Sequence, residues 1–248
     1  NGLTPVYFDI ETTGFSSWED EFVCSTTLNT IDDSLHKSLT TANFSARKSG
    51  ILITYNGENY HGGFDFPWLR SKCIQQGIEW QLAGVKHLDL LPLVRKYINT
   101  SRYGEFKKSD FRASDLKKLA KVNNVDYQNK GQCLEELKSL DNVDWLDYER
   151  SSKEDNSLQA VYQMMFDPNC EEKYIEGGKI PELYEEMKSI ENSEIPANNY
   201  IEKSKRNRNL WQQIRAHNSR DVERLKKIAE KVIPVIPNWE IERNIKEL

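Results

Sequence analysis

A chain of 248 residues, of which 38% are hydrophobic and 29% charged, is long enough to bury a substantial core. Its composition excludes a membrane-spanning protein, since no apolar run approaches the roughly 20 residues that cross a bilayer. The net charge of -5 argues against a uniformly basic nucleic-acid coat. The first ten residues lack the basic segment and the long apolar segment of a secretory signal, so we expect an intracellular, cytoplasmic protein.

The first half of the chain predicts alternating strands and helices. β-rich apolar runs predict strands over residues 4–11, 21–29 and 51–57. A helix is expected over residues 64–77, where Pro67 suits the first turn and Gly77 the end. The run over residues 85–94 predicts a further strand that leads into a turn or helix near Pro92.

The second half predicts two helices separated by a polar segment. One helix begins near Ser114, and a long one covers Asn209 to Val232, before two prolines. Between them, residues 127–205 are predicted to form an acidic insertion or helical subdomain within a single domain of residues 1–248. The order of strands and helices predicts an α/β sandwich with a mixed sheet.

Two carboxylates lie one residue apart in the first predicted strand, within the sequence VYFDIETTG. Because side chains alternate between the faces of a strand, Asp9 and Glu11 share one face. Neighbouring carboxylates repel each other, so the pair needs a bound cation, protonation or contact with water. The pattern leaves two interpretations open, a metal site and a strand that ends in a solvated turn.

Two further segments place polar side chains at the ends or along the face of predicted helices. Asp65 begins a helix just beyond the carboxyl end of a strand, where ligands of α/β sheets tend to bind. His217 and Asp221 are four positions apart and therefore share one face of the last helix. Residues 203–231 around them hold ten lysines and arginines against three acids, which suits a polyanion but is also typical of a solvated helix face.

Three segments, in this order, resemble the exonuclease motifs of the DnaQ-like (DEDD) superfamily, which has the RNase H fold. FDIETTG is similar to the first motif, the Asn56-Gly57 turn with the following FDFP to the second, and HNSRD to the third. The likeness is to exonuclease domains allied to the proofreading domains of family B DNA polymerases, and it covers residues 4–125 and 209–232. It implies an RNase H-like mixed β-sheet flanked by helices, with an acidic helical insertion.

The resemblance also implies a site and a reaction. Its metal-binding carboxylates would be Asp9, Glu11, Asp65 and Asp221, and His217 would be the general base. Four carboxylates suit two hard divalent cations, so Mg²⁺ or Mn²⁺ is expected. The implied activity is stepwise 3′-to-5′ hydrolysis of the phosphodiester bonds of DNA or RNA by a two-metal-ion mechanism.

The third and second motifs depart from the common pattern of the family. Three residues separate His217 from Asp221, the spacing of tyrosine-type members, so His217 occupies the position of their tyrosine; its alternative role is structural. A longer loop than usual separates Asn56 from Asp65. Contacts with the substrate are expected from this loop and from the residues that follow the Asp9 and Glu11 pair, namely Thr12, Thr13, Gly14, Phe15, Asn56 and His61.

Two other functions stay open at this stage. RNase H-like two-metal sites also cut internally, which would make the protein a structure-selective endonuclease. A catalytically silent nucleic-acid-binding or scaffolding domain is the other alternative, although all four carboxylates and a base are present. The expected partner is a DNA or RNA 3′ end and not a membrane. The acidic insertion has two open roles, blocking the groove beyond the site or binding a protein partner.

Overall fold

The computed structural model of the protein describes most of the chain. The described residues are 4–27, 30–59, 62–98, 101–102, 113–140, 143, 153–154, 156–166, 177–193 and 200–248. The chain packs as two compact units, one of Asn1–Ile98 with Asn156–Leu248 and one of Asn99–Asp155. Within the described ranges, no helix combines the length and the apolar character needed to cross a membrane.

A mixed sheet forms the centre of the first unit. The strands that the structure describes are β1 (Thr4–Thr12), β2 (Phe22–Thr27), β3 (Thr30–Asp32), β4 (Gly50–Thr54), β5 (Lys86–Asp89), β6 (Ser101–Arg102), β7 (Lys153–Glu154) and β8 (Ile245–Glu247). Six of them form one sheet in the order β3-β2-β1-β4-β5-β8. Strands β1, β4 and β5 run parallel, so their carboxyl ends meet at one edge of the sheet. Strand β2 pairs antiparallel with β1.

Helices cover both faces of this sheet. The helices in the described ranges are α1 (Leu35–Ser49), α2 (Asp65–Gln76), α3 (Leu90–Tyr97), α4 (Ala113–Val122), α5 (Lys130–Lys138), α6 (Leu158–Phe166), α7 (Ile180–Asn192), α8 (Tyr200–Val232) and α9 (Asn238–Asn244). The α/β class with a mixed sheet flanked by helices is therefore confirmed.

The alternation of side chains along β1 supplies two separate cores. Phe8 packs with Leu39 of α1 and Phe66 of α2 on one face. Tyr7 packs on the other face with residues of α3, α6 and α8, among them Leu225. Odd-numbered residues of β1 thus face α8, and the same alternation directs Asp9 towards that helix.

The predicted elements of the first half agree with the structure to within a few residues. Strands are found where they were expected, at β1, β2, β4 and β5. The predicted helix at 64–77 is α2, which ends at Gly77 in the left-handed conformation. Pro92 lies in the first turn of α3, where its missing N–H costs nothing. Trp68 packs in the core of the first unit, where it is 3% exposed.

Three helices differ from the prediction for physical reasons. Helix α1 was not predicted, because its sequence is rich in serine and threonine and two of its five buried residues are small alanines. Helix α6 was also missed, within a segment interpreted as polar. Helix α8 begins at Tyr200 instead of Asn209, since its first turns carry charged residues without an apolar stripe.

The second unit has a small core of its own. Helices α4 and α5 pack through Leu116, Ala120, Leu134 and Leu137. The insertion predicted over residues 127–205 does not coincide with this unit, because α6 and α7 lie in the first unit and pack against α8.

Candidate active site

The carboxylate pair of β1 lies where the pairing of that strand becomes irregular. Asp9 pairs with Thr26 and Glu11 with Cys24, and the register shifts immediately after Glu11. The chain then turns back, and the Thr13 amide donates to the Glu21 carbonyl over 3.0 Å. Because the regular hydrogen-bond ladder ends here, Asp9 and Glu11 lie near the carboxyl-terminal end of β1, a central strand of the sheet.

The Asn-Gly turn after β4 positions Asp65. Asn56 adopts a left-handed φ of 69°, and its carbonyl accepts from the Phe64 amide over 2.6 Å. A Cβ atom at Gly57 would lie 2.1 Å from the Thr54 hydroxyl, so only glycine fits. The turn therefore delivers Asp65 to the first turn of α2, where it is 4% exposed.

Helix α8 supplies the remaining side chains of the site. His217 Nε2 lies 3.5 Å from Glu11 Oε1 and 3.6 Å from Asp221 Oδ2. Asn218, which is fully buried, donates through Nδ2 to Asp9 Oδ2 over 2.6 Å. The predicted residues of the first and third motifs are thus brought together, although they are about 200 positions apart in the sequence.

Two contacting residues were missed in the sequence. Besides Asp9, Asn218 Nδ2 approaches Glu11 Oε1 to 3.4 Å, so one amide connects both β1 carboxylates. Arg224, 5% exposed, donates through a terminal guanidinium nitrogen to Asp221 Oδ1 over 2.8 Å. The available signal was helical spacing, since both residues are three positions from Asp221 and therefore flank it on the helix surface.

Like charges accumulate in this cluster. Burial raises the pKa of Asp9 well above its usual 3.8, and the charges of Asp65, Glu11 and Asp221 raise it further. Burial also raises the pKa of Glu11 to about 8, with the charge of Asp221 adding to the effect. Burial raises the pKa of Asp65 as well, followed by the charges of Asp89 and Glu11. We count Asp65 as a member of the cluster because its charge raises the pKa of Asp9.

The pKa of His217 is shifted in the opposite direction to those of the carboxylates. Burial lowers the pKa of His217 below its usual 6.5, and the charges of Arg224 and Arg220 lower it further, while Asp221 acts to raise it. At neutral pH the imidazole is therefore uncharged. A neutral imidazole beside carboxylates is able to accept a proton or to bind a cation.

Four of the substrate-contact candidates follow Glu11 directly in the sequence. The Thr12 hydroxyl donates to the Gly14 carbonyl over 2.7 Å, and the Thr13 hydroxyl accepts from the Glu21 amide over 2.8 Å. Phe15 is 91% exposed, with its ring edge-on to Phe64. His61 lies outside the described residues. The contacts of these residues with a substrate stay predictions.

Three of the side chains bring possible metal-ligand atoms close to one another. Glu11, His217 and Asp221 each offer a ligand atom, and these atoms lie within 4.8 Å of one another. Asp9 is connected to this group by Asn218 and not by a shared ligand position. The fold and the site together define an α/β protein with a cluster of carboxylates beside a buried histidine. No protein-family model matches the chain, and no curated protein shows a significant match to it.

Proposed function

We propose that the protein is a metal-dependent 3′-to-5′ exonuclease with an RNase H-like fold that hydrolyses phosphodiester bonds of DNA or RNA. The observation that carries the proposal is the effect of three neighbouring carboxylates on the pKa of Asp9. In addition to burial, the charges of Asp65, Glu11 and Asp221 raise the pKa of Asp9, and these three residues belong to α2, β1 and α8. A fold that places four carboxylates together needs a compensating positive charge when all are ionised. The mixed sheet with helices on both faces supports the RNase H-like assignment.

The residues present fit divalent cations. Asp65 Oδ2 and Asn218 Oδ1 are buried and have no hydrogen-bond partner within the described part of the chain. Buried oxygen atoms without donors suit hard cations, which favours Mg²⁺ or Mn²⁺. Asp9, Glu11, Asp65 and Asp221 would hold two such ions. When bound, the ions would lower the pKa of a water molecule and offset the charge that develops on the leaving oxygen.

The side chains of α8 would support the reaction in two ways. His217 is uncharged at neutral pH because burial lowers its pKa, so its Nε2 is available to accept the proton of the attacking water. Arg224 holds Asp221 Oδ1, which leaves Oδ2 directed at His217. The guanidinium thereby fixes the orientation of the carboxylate.

A nuclease assay with labelled strands tests the proposal. The substrates are single- and double-stranded DNA and RNA labelled at the 5′ end, incubated with Mg²⁺, Mn²⁺ or EDTA. We expect a metal-dependent ladder of progressively shorter products, which Asp9→Ala abolishes. The matched control is Glu223→Gln, an exposed carboxylate on the same helix, which should behave as the wild-type protein.

Other outcomes of this assay would reject the proposal in different ways. Discrete internal products would indicate an endonuclease. No metal-dependent product on any strand would indicate a silent binding or scaffolding domain. A ladder of unchanged intensity with Asp9→Ala would mean that the carboxylate cluster is not the active site.

A further inference from the structure

A second concave site lies outside the carboxylate cluster. A groove of about 460 Å³ opens between α7, α8 and β2. Six of the side chains that line it are Tyr184, Met187, Glu191, Asn207, Arg208 and Trp211. Its volume falls in the range of about 300 to 1,000 Å³ that is typical of small-molecule sites. None of the six belongs to the cluster described above.

The groove holds a hydrogen-bond acceptor that needs a donor. Asn207 Nδ2 donates to Glu191 Oε1 over 2.9 Å, and this bond fixes the orientation of the amide. Asn207 Oδ1 is consequently the free acceptor. It is buried and finds no hydrogen-bond partner in the ranges that the structure describes. Because buried polar atoms are nearly always paired, a ligand that carries an N–H group suits this position.

The groove also has an available positive charge. Its two carboxylates are engaged, since Glu191 accepts from Asn207 and Asp33 pairs with Lys37 over 3.5 Å. Arg208 is exposed and makes neither an ion pair nor a hydrogen bond with any described residue. A guanidinium in this state suits the oxygen atoms of a phosphate group, which it is able to bind with two parallel hydrogen bonds.

Two aromatic side chains border the same space. Trp211 and Tyr184 both line the groove, and each has one cation near its ring, Arg215 at 5.6 Å and Lys188 at 5.0 Å respectively. Such rings offer flat apolar area to a planar ligand, and nucleobases stack on them irrespective of sequence.

We propose that this groove is a nucleotide-binding site. The base contacts Trp211 and Tyr184 and donates an N–H group to Asn207 Oδ1, while the phosphate binds Arg208. The nucleotide has two sources with this same chemistry, a free nucleoside monophosphate and one unit of a nucleic-acid strand. Binding of a free nucleoside monophosphate is independent of the nuclease function proposed above. Binding of one unit of a nucleic-acid strand rests on that function.

The position of the groove along α8 is compatible with the strand source. Trp211 and Asn218 are seven residues apart, so they are separated by about 10 Å along the helix at 1.5 Å per residue. At about 3.4 Å per stacked nucleotide, that distance corresponds to about three nucleotides. A strand that ends at the carboxylate cluster therefore has the length to reach the groove with its third or fourth unit.

Calorimetric titration in EDTA tests the groove without the metal site. The ligands are the four ribonucleoside 5′-monophosphates, with ribose 5-phosphate and adenosine as probes that lack the base or the phosphate. We expect monophosphates to bind the wild-type protein, both incomplete probes to bind at least tenfold more weakly, and Arg208→Ala to lose at least tenfold in affinity. Lys205→Ala removes an exposed charge from the same helix outside the groove lining and should bind as the wild type does.

Oligonucleotides of two and five units separate the two sources. If the unit belongs to a strand, Arg208→Ala weakens the pentanucleotide, the dinucleotide and the monophosphates alike, because each of them offers the groove a base and a phosphate. If the nucleotide is free, mononucleotide binding is lost in Arg208→Ala, and the affinity of both oligonucleotides is the same as in Lys205→Ala. The proposal is overturned if Arg208→Ala and Lys205→Ala bind every ligand equally. Loss of hydrolysis in Asp9→Ala tests the nuclease and has no bearing on these titrations.

Discussion

Asp65 and Asp89 are equally buried, each 4% exposed, but their surroundings differ. Asp89 caps α3 by accepting from the Leu91 amide over 3.0 Å, and it also accepts from the Asn56 amide and from Asn59 Nδ2, both over 2.9 Å. Asp65 Oδ2 has no such donor among the residues described.

The two carboxylates differ in whether hydrogen-bond donors offset the effect of burial on the pKa. Burial raises the pKa of Asp89, but four hydrogen-bond donors act to lower it. Burial raises the pKa of Asp65 too, and there the nearby charges of Asp89 and Glu11 raise it further. A carboxylate that stabilises the fold carries its own donors, whereas one that binds a ligand leaves an oxygen atom unpaired until the ligand arrives.

Substitution of Asp65 should produce the largest effect. Asp65→Asn keeps the shape of the side chain but removes a charged ligand of the proposed cations. Since cations supply several kcal/mol of transition-state stabilisation, we expect metal-dependent hydrolysis to fall by about 100-fold or more. The free energy of unfolding in EDTA should stay the same or increase, because one of several like charges is gone. A wild-type rate, or a clear loss of stability, would contradict the interpretation of Asp65 as a functional carboxylate.

The stability of the metal-free protein should depend on pH. Glu11 has a pKa of about 8 in the folded state against an ordinary 4.5, so the folded protein retains its proton more strongly. Its contribution to stability is complete below pH 4.5 and is lost as the pH rises through 8. His217 and His87 have lowered pKa values, so their contributions are lost only as the pH falls below 6.5.

The window from pH 6.5 to 8 therefore isolates the carboxylates. In EDTA we expect the free energy of unfolding to fall by up to about 1.4 kcal/mol per pH unit for each proton released. Urea titrations across this window provide the measurement. Glu11→Gln should reduce the slope, and Mg²⁺ should flatten it by offsetting the charge. Stability in EDTA that is constant over this range would be inconsistent with a cluster of carboxylates lacking donors.

Much of the fold was predictable because its signals are local. The alternation of β1, the turn at Asn56 and the spacing of His217 and Asp221 predicted which elements carry the site. Helix α1 was not predictable in this way, since its serines and threonines have low helix propensity and it is stabilised by packing Leu39 and Ala42 against the sheet.

The contacts within the site were less accessible from sequence. Asn218 reaches Asp9 across 209 positions, and no periodicity in either segment indicates that distance. Arg224 resembles any other basic residue of α8 until the fold places it, 5% exposed, against Asp221. Metal binding and nuclease activity stay predictions, since they follow from the motif resemblance and from unpaired oxygen atoms.

Substitution of Asp89 should produce the smallest of these effects and complete the comparison with Asp65. Asp89→Ala removes the acceptor of four donors and deprives the backbone amides of Asn56 and Leu91 of the partner that they have in the structure. We expect the free energy of unfolding to fall by about 1 to 3 kcal/mol in urea titrations.

Asp33→Ala is the matched control. Asp33 also lies next to a helix start, but its side chain is 58% exposed and pairs only with Lys37 among described residues, so its loss should cost less than about 0.5 kcal/mol. Equal losses in the two variants would show that the donors around Asp89 do not distinguish it from a surface carboxylate.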